Sequence, residues 1–310
     1  MSRNLCLSLT GLTIGLAIII SGCSPSTNLS LNFSPEDTAS YKSVSEVVKD
    51  FRFEQPNIGK LREEQTKNTV EMNFTQAIES VDADGNATAN ITIDSLAVNI
   101  INKNETRLAF DSSKDSSSSL AKLIGQSYKI QITPAGDVTV LDAANALAAI
   151  PSGYENKIAA GILSNDSIIQ RHQVPALPKE ASSNLSVGKS WSQVVASPPG
   201  LLAPKSYKKT YTLSGISGNI TTVSMVATED SEPVKGAAAG MGMFAKMFDN
   251  EDNYKGSMTL NQETGALISS EETLVSTYLA QEMSEKGDPA KGPDTLTMQF
   301  THKIKIEKLN

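Results

Sequence analysis

Alternation with a period of two recurs along this chain and sets what it can fold into. Met298, Phe300, His302, Ile304 and Ile306 alternate with Gln299, Thr301, Lys303, Lys305 and Glu307. Successive side chains of a strand point to opposite faces, so this pattern gives one apolar face and one wet face. That is the signature of an antiparallel sheet packed on one side. Val70, Met72, Phe74 and Ile78 repeat it against Glu71, Asn73, Thr75 and Glu79. Asp82-Ala83-Asp84-Gly85-Asn86 then supplies turn chemistry before a further strand through Ile91 and Ile93. Shorter units of the same kind fall at residues 128–132, 138–141, 207–213, 220–227, 254–260 and 266–279. Leu29, Leu31 and Phe33, alternating with Ser30 and Asn32, predict a first strand.

Helical signals are few. They fall at residues 119–124, at 142–150 ending before Pro151, at 153–163 with an extension to 170, and at 237–248. The fold class is therefore mainly β (α+β), a large curved antiparallel sheet or open half-barrel with a few short helices on its concave side. The domain is read as residues 29–310, with proline-bearing loops over 174–204 marking where two similar halves would meet.

The first residues have another character. Arg3 precedes an apolar run from Leu5 to Ile20, which closes on Ser21-Gly22-Cys23. The run is shorter than the ~20 apolar residues that cross a membrane, and its layout is that of a cleaved signal peptide. Ile20-Ser21-Gly22-Cys23 resembles the lipobox of bacterial lipoproteins, with Ile20 standing where Leu is usual. The resemblance implies that residues 1–22 are removed, that Cys23 is lipidated, and that residues 23–28 form a short tether. It also implies a cell-envelope protein held on the membrane by lipid. Ser24, rather than Asp, after the lipidated residue favours the outer membrane in a host with two.

Composition narrows the function classes. The formal net charge is −7, and loss of Arg3 with the leader makes the remainder more acidic by one. An acidic balance disfavours nucleic acid as a partner. Cys6 leaves with the leader and lipid takes Cys23, so the body keeps no thiol. Its two histidines, His172 in a polar loop and His302 on the apolar phase of a strand, do not form a His-Glu-x-x-His site. Asp82-x-Asp84-Gly85 lacks the glutamate that a calcium loop needs at its twelfth position, where Ile91 stands. Ser-x-x-Lys occurs at Ser119/Lys122, Ser186/Lys189 and Ser206/Lys209 without the Lys-Thr-Gly strand that accompanies a serine nucleophile of that type. No catalytic constellation, cofactor or metal is expected.

The body resembles an uncharacterised family of β-rich bacterial lipoproteins, a domain of unknown function. The resembling pieces are Asp82-Ala83-Asp84-Gly85, Gly125-Gln126-Ser127-Tyr128, Pro134-Ala135-Gly136-Asp137-Val138 and Val187-Gly188-Lys189-Ser190-Trp191. That resemblance implies no activity. One segment suits adaptable apolar contact, since Phe244, Met247 and Phe248 share a face if helical, with Met241 and Met243 beside them. Met241, Phe244, Met247 and Phe248 are the candidate contacts for an apolar ligand such as a lipid or acyl chain. The plainer reading of the segment, and the preferred one, is a short helix that caps the open side of the sheet. The alternative function is an interaction lipoprotein that presents its surface to another envelope protein.

Overall fold

The computed structural model describes residues 26–179, 185–202, 204–231, 247–282 and 288–309. Its strands in chain order are β1 (Ser26–Thr27), β2 (Thr38–Gln55), β3 (Lys60–Val81), β4 (Ala87–Asn102), β5 (Glu105–Asp111), β6 (Ser127–Ile132) and β7 (Val138–Asp142). There follow β8 (Leu185–Ser186), β9 (Ser190–Ala196), β10 (Ser206–Ser217), β11 (Ile220–Asp230), β12 (Asp249–Asn261), β13 (Ala266–Glu282) and β14 (Asp294–Lys308). Helices α1 (Ala144–Ala148), α2 (Tyr154–Ile162) and α3 (Asn165–His172) all lie between β7 and β8. Twelve strands make one antiparallel sheet in the order β7-β6-β4-β3-β2-β14-β13-β12-β11-β10-β9, with β5 also paired to β4. The sheet is open, with β7 and β9 as its edges.

The alternation seen in sequence is the inward phase of these strands. Met72 and Phe74 of β3, Ile91 and Ile93 of β4, and Val223 and Met258 farther round are all fully buried. Strand β4 keeps one apolar face only by changing phase. Asn73 pairs with Ser95 and Phe74 with Ile93, so Asp94 is an extra residue. Beyond this bulge the inward positions become Leu96 and Val98. Extra residues at Ser214 in β10 and Ile268 in β13 likewise bend long strands.

Hydrogen bonds at one end show how far the sheet curls. Val174 N donates to Gly136 O in the β6–β7 turn at 2.9 Å. The carbonyl of the next residue, Pro175, accepts from Gln193 Nε2 of β9 at 3.1 Å. A flat sheet of this order would hold its edges roughly 48 Å apart at ~4.8 Å per strand. One dipeptide and a glutamine side chain bridge them here, so the sheet wraps into an open half-barrel and residues 174–175 span its seam. Gly136 is required at this point. Its φ is +78°, and a Cβ would lie 2.7 Å from Val174 O.

Residues 29–33 are expected to supply a strand, and they do not: Leu29 and Leu31 are buried, but the segment joins no ladder. Leu31 N donates to Pro134 O at 2.8 Å and Asn32 N to Gly265 O at 3.2 Å, so the segment crosses the barrel end from one turn to another. The alternation reported burial correctly, yet these backbone groups bond to turns instead of a neighbouring strand. Ahead of this segment, β1 pairs with β8. A second correction concerns His172, read as part of a polar loop. Ser164 caps a new helix by accepting from Ser167 N at 3.2 Å, and His172 ends that helix buried at 5% exposure.

Candidate functional site

Helices α2 and α3 lie across the inner face, over β2, β3, β4 and β14, and enclose a cavity of about 390 Å³. That is within the range of small-molecule sites. Its floor is apolar, with Val70 of β3, Val98 and Ile100 of β4 and Ile304 of β14, and Ile158 and Ile162 of α2 face them. The cavity exists because β2 does not fill it. At the inward positions Ser43 and Ser45, where neighbouring strands carry large apolar groups, β2 offers small side chains. Gly161 of α2 lines the opening, and a Cβ there would meet nothing within 4 Å.

Polar groups gather at one side of this cavity. Gln170 of α3 lies 3.3 Å from His302 Nε2. Arg171 donates to Tyr128 Oη at 3.3 Å and to Ile162 O at 3.0 Å. Tyr128 in turn lies 2.7 Å from His172 Nε2, and both are buried. Arg171 can only donate, so this chain is satisfied when Tyr128 donates onward to a bare Nε2 of neutral His172. Burial and the neighbouring Arg171 charge hold the His172 pKa well below its usual value, which agrees with that tautomer.

Burial also pushes His302 down to about 4, with Lys209 adding to the effect and Glu272 opposing it. An unfolded chain protonates this histidine near pH 6.5, and the folded one resists until about pH 4. Stability is therefore complete above pH 6.5 and falls with pH below it, by ~3 kcal/mol once pH 4 is reached. Urea unfolding at pH 7 and pH 5 should show His302→Gln losing ~2 kcal/mol less than wild type between them. An equal loss in both proteins would mean that His302 is not the group responsible.

Beyond His302 the inner face becomes a network of buried charges. Lys209 of β10 reaches Glu272 of β13 at 2.5 Å, and Tyr254 Oη donates to the same carboxylate at 3.0 Å. The pair crosses over Gly256, where a Cβ would lie 3.1 Å from Glu272 Cγ, so the glycine makes room for it. Lys205 meets Asp252 at 2.7 Å, and Tyr207 Oη donates to Asp252 at 2.8 Å with Ser276 also bonded to it. Burial raises the Asp252 pKa, but these three donors outweigh it and leave the carboxyl below its usual range. The charges on this face satisfy one another.

The residues singled out in sequence are placed as follows. Cys23, Met241 and Phe244 lie outside the described residues. Met247 is 68% exposed in a turn, and Phe248 is buried edge-on to Tyr278, with ring centroids 6.5 Å apart. Neither lines the cavity. Asp82 caps its hairpin by accepting from Asp84 N and Asn86 N, each at 2.9 Å. Ser206 and Lys209 are three apart on one strand, so they face opposite sides of the sheet. Of the cavity residues, sequence singles out His302, on the apolar phase of its strand, while Ser43, Ser45, Gln170 and Arg171 stand out only in the structure.

No family model matches the sequence, nor does any curated protein. Solved structures that resemble it do so at low identity, and three illustrate this. Lipovitellin, from a study of its lipid–protein interactions, matches at a TM-score of 0.48 and 11% identity over 90% of this chain. The chain spans only 26% of that protein. A DUF1329 family protein from Desulfovibrio piger matches at 0.11 and 10% identity over 87% of this chain and 84% of its own. OpdQ from Pseudomonas aeruginosa matches at 0.14 and 8% identity over 78% of this chain and 62% of its own. These scores are below what a shared fold requires, so the ligand question rests on the chain's own cavity.

Proposed function

We propose that this protein is a lipid-anchored cell-envelope lipoprotein that binds an apolar ligand in the cavity beneath α2 and α3, and that it binds rather than catalyses. The observation that carries this reading is an apolar space of about 390 Å³ kept open by small residues at Ser43, Ser45 and Gly161. Gly161→Trp adds an indole at a lining position where a Cβ meets nothing within 4 Å. It should weaken binding of an apolar fluorescent dye at least about tenfold while leaving the circular dichroism and melting temperature unchanged. Undiminished dye binding in a folded Gly161→Trp protein would contradict the assignment.

A second reading has its own support. Ile58 and Leu61 at the β2–β3 turn are 69% and 51% exposed, which suits a surface offered to another envelope protein. Binding of dye to the cavity separates the two readings.

The lipobox resemblance supports an anchor at Cys23, with the outer membrane favoured in a two-membrane host. Ser24 and Pro25 alone separate Cys23 from β1, a reach of roughly 10 Å. Such an anchor would hold the barrel end crossed by residues 28–35 close to the membrane. Cys23→Ser should move the protein from the membrane fraction to the soluble one or leave the leader uncleaved. Equal membrane retention with no lipid mass on the N-terminal peptide would refute the anchor.

A further inference from the structure

We propose that the cavity's ligand is a single-chain amphiphile with an anionic head, held with that head against Arg171 and Lys157. The inference rests on the apolar-ligand reading above and names the chemical class that site takes. The chain carries 34 acidic residues against 27 basic ones, yet among the described residues no aspartate or glutamate lines the cavity, while Lys157, Arg171 and the neutral His302 do. Arg171 differs from the other described arginines. Arg52, Arg62 and Arg107 each meet a glutamate at 3.0 Å or less. Among the described residues Arg171 has two polar partners, Tyr128 Oη and Ile162 O, and both are neutral.

A guanidinium has five N–H donors, and those two bonds leave donors and the full charge unanswered at a half-buried site. Elsewhere on the inner face two cations have carboxylates, Lys205 with Asp252 and Lys209 with Glu272. At Arg171 the counter-charge is left to a ligand. The apolar floor of Val70, Val98 and Ile100 gives an alkyl chain its place, and exposed Lys157 of α2 lines the same cavity as Arg171 of α3.

The test compares dodecanoate with dodecanol, equal in chain and different in head, as competitors of an apolar fluorophore. Wild type should bind dodecanoate about tenfold more tightly than dodecanol, the worth of one charge-assisted contact. Arg171→Gln should reduce that preference to within about threefold, and dodecanol that still competes reports an intact cavity. Equal affinities in wild type, or a preference that survives in the folded Arg171→Gln protein, would overturn the anionic-head assignment and leave the cavity reading standing. If neither compound competes, the cavity reading falls too. Should Arg171→Gln fail to fold, Lys157→Ala decides, since Lys157 is exposed: an unchanged preference there overturns the proposal.

Discussion

Lys209→Met lowers folding stability by about 3–5 kcal/mol, because it leaves Glu272 buried without its cation. The side chains of the pair are 7% and 17% exposed, so water does little to solvate a stranded carboxylate. Glu272→Met costs a similar amount by stranding the ammonium. Changing both together should recover most of the loss, to within about 1–2 kcal/mol of wild type. The remainder is the acceptor that Tyr254 Oη loses along with Glu272. Urea unfolding of the four proteins gives the coupling directly. Losses that simply add in the double variant would show that the two charges do not act as a pair.

Phe74→Ala is expected to cost about 3–5 kcal/mol, the usual loss for deleting a large buried ring. Phe74 is fully buried on β3, stacks on Tyr41 with ring centroids 5.6 Å apart, and takes the edge of His172 at 4.7 Å. It therefore joins the sheet to the end of α3, and its removal loosens the helix that roofs the cavity. The melting temperature should fall by on the order of 10 °C. Phe74→Leu should cost clearly less because it keeps most of the volume. A loss below about 1 kcal/mol for Phe74→Ala would mean that α3 is not packed there.

The sheet was legible where one phase of a strand is uniformly apolar. β3 and β14 show this, and the Asp82–Asn86 turn between β3 and β4 was readable from turn residues alone. β2 was not legible, because its inward Ser43 and Ser45 border a cavity while Val44 and Val48 occupy the other phase. β4 was recognised only as far as Ile93, since the bulge at Asp94 shifts its apolar phase by one residue. In residues 28–35 the alternation was real, but hydrogen-bond partners lie elsewhere in the chain and leave no local trace. The cavity had the same difficulty. Its walls come from β2, β3, β4, α2, α3 and β14, so no short motif carries it. Arg171 carries no signal in the sequence, because the lack of a counter-charge near it among the described residues is a fact of three dimensions.

The central claim is that the space beneath α2 and α3 holds an apolar molecule. Mass spectrometry of organic extracts from the purified full-length protein tests it most directly, when wild type and Gly161→Trp are prepared side by side. Wild type should carry a non-covalently bound single-chain amphiphile at near one per molecule, and Gly161→Trp should lack it. Wild-type extracts holding no more of any apolar compound than those of Gly161→Trp would contradict it.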